Sequence, residues 1–406
     1  MASTALIAQD IIAPRPRDTH ADSRFETQLI HGGLAPDAAT GAVVTPIYQS
    51  TTFAQEGVGR DRGFTYSRTG NPTVATLESH LGAIEAALPA ASFSTGMAAI
   101  TALCLTLLEN GDRVVISDVV YGGTTRLLRQ VLGKFGVEAV SVDTADIDQT
   151  REAVRSIRPR LTFVETPANP TLKLTDIAAI AAIADDEGAI LAVDNTFLTP
   201  ALQRPLDLGA AVCVYSTTKY IEGHNATVGG ALVTRDEALR ERFKFVQNAV
   251  GFAQAPFESW LTIRGLKTLS LRLARQSESA LRIAAWLEAH PRVGRISYPF
   301  LDSFPQAALA RRQQRGGGGL VAFTLRGGFE ASVRFLESLR LCILAENLGA
   351  VETIVTHPAS MTHAEVPAED RRRVGLDDGL IRLSVGLESP EDLLADLDQA
   401  LSSAHE

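Results

Sequence analysis

Lys219 closes the run AAVCVYSTTK, in which alternating apolar and β-branched residues from Ala211 to Tyr215 give way to Ser216, Thr217 and Thr218 and then to one amine. The alternation predicts a buried strand, and open α/β sheets bind ligands at the carboxyl ends of such strands. A second apolar run, AILAVD, ends on Asp194, twenty-five positions earlier. An amine and a carboxylate at the rim of one sheet suit a ligand with an aldehyde for the first and a basic ring nitrogen for the second. Pyridoxal phosphate is such a group, because lysine takes its aldehyde as a Schiff base and a carboxylate keeps its ring nitrogen protonated, which makes the ring an electron sink. Taken alone, a strand-end lysine is a solvated charge. Its company changes that. FSTGMAAITALCLTLL, from Phe93 to Leu108, sets two hydroxyls and a glycine before a strong helix former. The free amides of Gly96 and Met97 would face an anion there, helped by the positive end of the helix dipole. Alone, this start is equally an ordinary N-cap made by Ser94 or Thr95. With Asp194, Lys219 and the hydroxyls of Ser216 and Thr218 in the same chain, a phosphate site is the better account.

The elements that must position these groups follow from pattern. RVVISD, AVSVD, LTFVET, AILAVD and CVYSTT alternate with helical runs such as TTRLLRQVLGKF and DIAAIAAIADDEG between about residues 61 and 256. Strand and helix in alternation predict a mostly parallel, helix-covered α/β sheet, here the large, cofactor-binding domain. Residues 257–406 are expected to form a smaller C-terminal α/β domain. It is entered by one long amphipathic run from Phe257 to His290 and continues through the strand LVAFTLRG and the helix FEASVRFLESL. Residues 25–60, rich in Gly, Pro, Thr and Gln, predict an extended arm against a neighbouring subunit. Residues 1–24 predict a disordered leader without a secretory pattern.

Composition sets outer bounds. The chain has 406 residues, 45% hydrophobic and 21% charged, with a net charge of -9, which predicts a globular protein with a large core and argues against nucleic acid. Cys104, Cys213 and Cys342 sit in apolar stretches without metal-ligand spacing, so they are expected to be buried, reduced thiols in a cytoplasmic protein that holds no metal. No apolar stretch approaches a membrane span.

Several motifs carry a family resemblance. TPIYQSTTF (45–53), YSRTGNPT (66–73), STGMAA (94–99), VYGGTTR (120–126), ETPANP (165–170), AVDNTF (192–197), STTKY (216–220), HPASMTHAEVP (357–367) and IRLSVGLE (381–388) make residues 25–402 resemble the trans-sulfuration enzymes of cysteine and methionine metabolism. These are pyridoxal-phosphate enzymes of the aspartate aminotransferase-like fold, fold type I. The resemblance implies a homotetramer in which sites are shared between subunits. Tyr66 and Arg68 would reach the phosphate of the neighbouring site, where a planar guanidinium matches two oxygens. It further implies that Tyr121 stacks on the cofactor ring and acts in proton transfer, and that Asp194 meets the ring nitrogen. Ser216 and Thr218 would meet the phosphate, and Lys219 would be the catalytic amine.

The same resemblance makes Arg382 the anchor of the substrate α-carboxylate, with Asn169 assisting it or meeting the cofactor's phenolic oxygen. An arginine flanked by apolar strand residues independently calls for an anionic partner. Glu346 and Arg126 match residues of the γ-acting cystathionine synthases and lyases, near the distal end of a substrate. Gly123 stands where methionine lyases carry cysteine. Asn347 replaces a usual serine, Thr65 stands where cystathionine-forming relatives often have an acid, and Asn225 and Ala226 interrupt a common GHSD pattern. The expectation is γ-replacement on an O-acylhomoserine by cysteine or another sulfur nucleophile, of the cystathionine γ-synthase kind. The alternative is γ-elimination on cystathionine, homocysteine, methionine or another γ-substituted amino acid, giving a 2-oxo acid and ammonia.

Overall fold

The computed structural model describes residues 23–362, 364 and 368–404. All but the last two residues of the expected leader, and part of HPASMTHAEVP, lie outside the described residues.

Seven strands form the large sheet: β1 (Ala91–Phe93), β2 (Arg113–Ser117), β3 (Glu138–Val142), β4 (Leu161–Glu165), β5 (Ile190–Asp194), β6 (Val212–Tyr215) and β7 (Gly230–Thr234). Their order is β1-β7-β6-β5-β4-β2-β3, parallel from β6 through β3 and antiparallel at β6–β7 and β7–β1. The parallel strands are apolar throughout because both faces are covered. Ile116, Phe163, Ala192 and Val214 pack under the Gly96–Leu107 helix, while Val115, Val164 and Val193 point the other way, against the Ile177–Asp186 helix. The mostly parallel, helix-covered sheet expected from the sequence is therefore present.

Five more strands form the second sheet: β8 (Val293–Ser297), β9 (Leu320–Leu325), β10 (Ile343–Leu344), β11 (Ile354–Thr356) and β12 (Leu380–Ser384), in the order β10-β11-β12-β9-β8. Phe323, Phe335, Ile381, Leu383 and Leu397 fill the core between this sheet and its helices.

The run expected as one helix from Phe257 to His290 is two, Pro256–Leu266 and Leu269–Ala289. Gly265 packs so closely on Glu222 that a Cβ there would lie 2.2 Å from its carbonyl oxygen. The buried Arg272 reaches back across the break to donate to the carbonyls of Gly265 (2.8 Å) and Tyr220 (2.7 Å). The first of those bonds helps to satisfy a carbonyl at the end of the broken helix, and the second ties the break to the turn after Lys219. Within residues 25–60, Phe25–His31 is helical. All three cysteines are buried free thiols, and burial pushes Cys104 up to about 12. Among the described residues no helix is long and apolar enough to cross a membrane.

Candidate active site

The parallel register brings three strand ends together. Glu165 at the end of β4 lies opposite Asp194 at the end of β5, and Asp194 lies opposite Val214 of β6. The chain leaves β6 through a tight turn in which the Lys219 amide donates to the Ser216 carbonyl (3.3 Å), and this places the amine over the same rim. These ends open into a cavity of about 1380 Å³ lined by Gly96, Met97, Tyr121, Arg126, Glu165, Asn169, Asp194, Ser216, Thr218, Lys219, Glu346, Asn347 and Arg382, among others. Of the fourteen residues singled out from the sequence, the structure brings twelve to this cavity. Tyr66 and Arg68 do not line it. Tyr66 is 45% exposed, Arg68 lies over its ring at 5.7 Å from the centroid, and the guanidinium donates to the Asn248 carbonyl (2.8 Å).

The start of the Gly96–Leu107 helix is capped by Thr95, whose hydroxyl accepts from the Ala98 amide (2.9 Å). As the first donors of a helix, the Gly96 and Met97 amides have no intrahelical acceptor. A side chain at residue 96 would close the approach to them, since a Cβ on Gly96 would lie 2.9 Å from Ser216 Cβ and 3.1 Å from Ser216 Oγ. Ser216 is held in place by its own amide, which donates to Thr196 Oγ1 (2.9 Å). The Thr218 hydroxyl exchanges bonds with Gly229, donating to its carbonyl (3.2 Å) and accepting from its amide (3.0 Å).

Asp194 is 9% exposed, and its Oδ1 accepts from the Thr196 amide (3.0 Å). Burial raises its carboxyl above the usual range. Glu165 was not singled out from the sequence. Its two oxygens accept from the amides of Tyr121 and Asn169, each at 2.8 Å, so it fixes the backbone on which both side chains stand. Burial, and then Asp194 beside it, push Glu165 up to about 8 against those two bonds. Two adjacent buried carboxyls resist being charged together. Only the register of β4 with β5 reveals Glu165. The sequence offers a glutamate at the end of an apolar run, the same kind of signal that marked Asp194.

Lys219 Nζ donates to Asn347 Oδ1 (2.5 Å), and burial followed by the Arg382 charge lowers its amine to about 8. Arg382 sits mid-strand in β12, 2% exposed. It donates to Asn169 Oδ1 (2.9 Å), the Asn347 carbonyl (3.0 Å) and Thr356 Oγ1 (3.0 Å), while its Nε has no acceptor. All three of these acceptors are neutral, so the guanidinium faces the cavity with its charge unbalanced, as an anion site requires. Tyr121 is 46% exposed at the mouth, and Gly123 lies under its ring: a Cβ there would be 2.5 Å from Tyr121 Cε1 and 2.8 Å from Met97 Sδ.

These residues fit pyridoxal phosphate. A buried amine, a buried carboxyl without a cationic partner, and a glycine-lined helix start beside two hydroxyls match its aldehyde, ring nitrogen and phosphate. The Arg382 guanidinium, bonded only to neutral acceptors, suits the carboxylate of an amino acid.

Comparison with known proteins agrees. The family model described as Cys/Met metabolism PLP-dependent enzyme matches residues 26–402. The chain is 50% identical over 376 residues to cystathionine gamma-synthase of Mycobacterium tuberculosis, covering 92% of this chain and 96% of the relative. It is 46% identical over 378 residues to cystathionine gamma-lyase of Bacillus subtilis, covering 93% and 99%. A crystal structure of cystathionine gamma synthase from Xanthomonas oryzae pv. oryzae in complex with aminoacrylate and cysteine superposes with a TM-score of 0.91 at 42% identity, covering 94% of this chain and 98% of that one.

Proposed function

This chain belongs to the Cys/Met metabolism PLP-dependent enzymes, and on that footing we propose that it replaces the γ-substituent of an O-acylhomoserine with cysteine or another sulfur nucleophile. Pyridoxal phosphate is its cofactor, and when bound it supplies a ring that draws electrons from the carbons next to the substrate amino group. The observation that carries the proposal is the joint placement of Lys219 and Arg382 on one residue, Asn347, through its side chain and its main chain. Asn347 accepts from the amine through Oδ1 and from the guanidinium through its carbonyl.

Arg382 grips the α-carboxylate and Asn169, held by it, lends an amide donor. An amino acid anchored this way presents its α-hydrogen to Lys219. An amine lowered to about 8 is a base over more of the neutral range than an ordinary lysine, so it takes that proton and moves protons at the β-carbon. Asp194 would hold the ring nitrogen, while the Gly96 and Met97 amides and the Ser216 and Thr218 hydroxyls would hold the phosphate. Tyr121, at the mouth of the cavity, would cover the ring and reach the leaving group. Glu346 and Arg126 line the outer cavity, where the distal end of an extended substrate would lie. The nucleophile that first reaches the γ-carbon decides the product: a thiol gives replacement, whereas without one the product is a 2-oxo acid and ammonia. γ-Elimination has support of its own in a cystathionine gamma-lyase relative that matches over a similar length.

Tyr66 and Arg68 complete the picture as donors to a second protomer's phosphate. Support comes from their position outside their own cavity and from an exposed apolar arm, with Val43 83% exposed and Val58 fully so. A homotetramer in the cytoplasm fits that arrangement and the three reduced thiols.

The test incubates the protein with O-succinylhomoserine, with and without cysteine, and quantifies cystathionine, 2-oxobutanoate and ammonia by mass spectrometry, with Lys219→Ala as control. Cystathionine formed at the expense of 2-oxobutanoate is the expected result. 2-Oxobutanoate formed regardless of cysteine would establish elimination instead.

A further inference from the structure

Asn225 occupies a left-handed backbone position, φ +54°, in the loop that follows Lys219. Asparagine tolerates that conformation better than most residues. The loop is wrapped on the buried carboxylate of Glu222, whose Oε2 accepts from the amides of His224 (3.1 Å) and Ala226 (3.2 Å). At Gly223, next to that carboxylate, the loop is tied to the second sheet's side of the molecule by the Val351 amide, which donates to the Gly223 carbonyl (2.9 Å). The Asn225 side chain is thereby held against Asn347.

A directed series of hydrogen bonds results. Lys219 Nζ donates to Asn347 Oδ1 (2.5 Å), Asn347 Nδ2 donates to Asn225 Oδ1 (2.5 Å), and Asn225 Nδ2 donates to Glu352 Oε2 (2.9 Å). An ammonium can only donate and a carboxylate can only accept, so the two ends dictate which way both amides face. Turning Asn347 over would set its NH₂ against the Lys219 ammonium. Asn225, which receives that NH₂, therefore decides whether Asn347 shows the amine an oxygen. Both positions were departures from the motif pattern of the family, and the structure makes them a bonded pair.

We propose that Asn225 is a positioning residue for Lys219, acting through Asn347, which holds the amine at a fixed offset from the Arg382 guanidinium. The inference rests on Lys219 being the catalytic amine. Because Asn347 also accepts from Arg382 through its carbonyl, the series fixes the distance between the proton-transferring group and the substrate anchor. Arg382 from β12, Asp194 and Glu165 from the large sheet and Glu346 from the neighbouring loop face the same cavity and are unchanged in the test variants.

The test compares Asn225→Gly, which suits the left-handed backbone, with Asn347→Ala and the double variant. Asn225→Gly should lower kcat about tenfold with KM within about twofold, as expected when a reacting group is misplaced and the anchor is intact. The losses should not multiply, so the double variant should match Asn347→Ala alone. A second readout needs no turnover. In apoprotein, peptide-resolved labelling of Lys219 by an amine reagent should have its midpoint about one pH unit lower in both single variants, because the acceptor that favours the ammonium is removed in Asn347→Ala and no longer held toward the amine in Asn225→Gly. Unchanged kcat and an unchanged labelling midpoint in Asn225→Gly would overturn the proposal, as would losses that multiply in the double variant. Turnover surviving in Lys219→Ala would instead overturn the assignment of Lys219.

Discussion

Gly96→Ala tests the phosphate cradle directly. The added methyl would sit 2.9 Å from Ser216 Cβ, 3.1 Å from Ser216 Oγ and 3.2 Å from Ser216 Cα. Ser216 cannot yield easily, because it follows the fully buried strand β6 and its amide is bound to Thr196. The helix start must therefore move outward by a few tenths of an ångström. Two effects oppose each other in the apoprotein: crowding costs stability, while alanine is favoured over glycine in a helix by up to ~1 kcal/mol. Apoprotein stability should change by less than about 1 kcal/mol. The cofactor feels no such offset. Loss of one charge-assisted bond to phosphate is worth about 1.5–3 kcal/mol, which is a dissociation constant raised about tenfold to a hundredfold. Titration of apoprotein with pyridoxal phosphate, followed by absorbance, measures this, and pyridoxal lacking the phosphate is the control. Binding of pyridoxal should change by no more than about twofold, so the advantage conferred by the phosphate collapses. Equal weakening toward both ligands, or no weakening toward either, would refute a phosphate site at this helix start.

Arg382→Met should lower kcat/KM by about 10²–10⁴, the worth of two charge-assisted bonds at ~1.5–3 kcal/mol each, and should abolish discrimination against the corresponding amine that lacks a carboxylate, measured by steady-state kinetics. Glu85, buried beneath the site and hydrogen-bonded by the Tyr215 hydroxyl, is pushed by burial from 4.5 up to about 7. The folded state thus holds this proton more tightly than the unfolded state, and stability must fall as pH rises from about 4.5 to about 7 and level off above. Glu85→Gln should remove about 3 kcal/mol of that decline, seen as a flatter dependence of urea midpoints between pH 5 and pH 8. Gly123→Cys and Gly123→Ala should both lower kcat by about tenfold or more, since either Cβ displaces the Tyr121 ring. An active cysteine variant beside an inactive alanine variant would contradict that steric account.

The parts of the fold legible in the sequence are those where residue type and burial agree. β4, β5 and β6 read as strands because a parallel sheet covered on both faces demands unbroken apolar runs, and LTFVE, ILAVD and VCVY supply them. β1 and β7 escaped notice: Ala91–Phe93 is three residues long, and β7 begins on a glycine whose Cβ would lie 2.3 Å from the Thr95 carbonyl oxygen. The break at Lys267–Thr268 was equally hidden, because helical periodicity continues through it and its cause is a contact with Glu222, more than forty residues earlier in the chain. Lys219, Asp194 and the Gly96 helix start were visible as local patterns. Arg382 could be suspected because a charge amid strand residues has a cost unless it is paired. Glu165 and Asn225 could not be assigned, since one acts through strand register and the other through a side chain more than a hundred residues away.

The groups suited to the cofactor stand on the large sheet and its helix, while Arg382 stands on the second sheet, joined to the first by its hydrogen bond to Asn169. On the proposed assignment the groups that face the cofactor stand on one platform and the carboxylate anchor on the other, with Asn169 and Arg126 of the first also reaching the substrate. Substitutions in the second sheet and at Glu346 can retune which side chain is accepted, whereas Asn347, bonded to Lys219, couples the two platforms. A chain built this way can drift between synthase and lyase by small displacements of one platform against the other, and families so organised diversify without reinventing their catalyst.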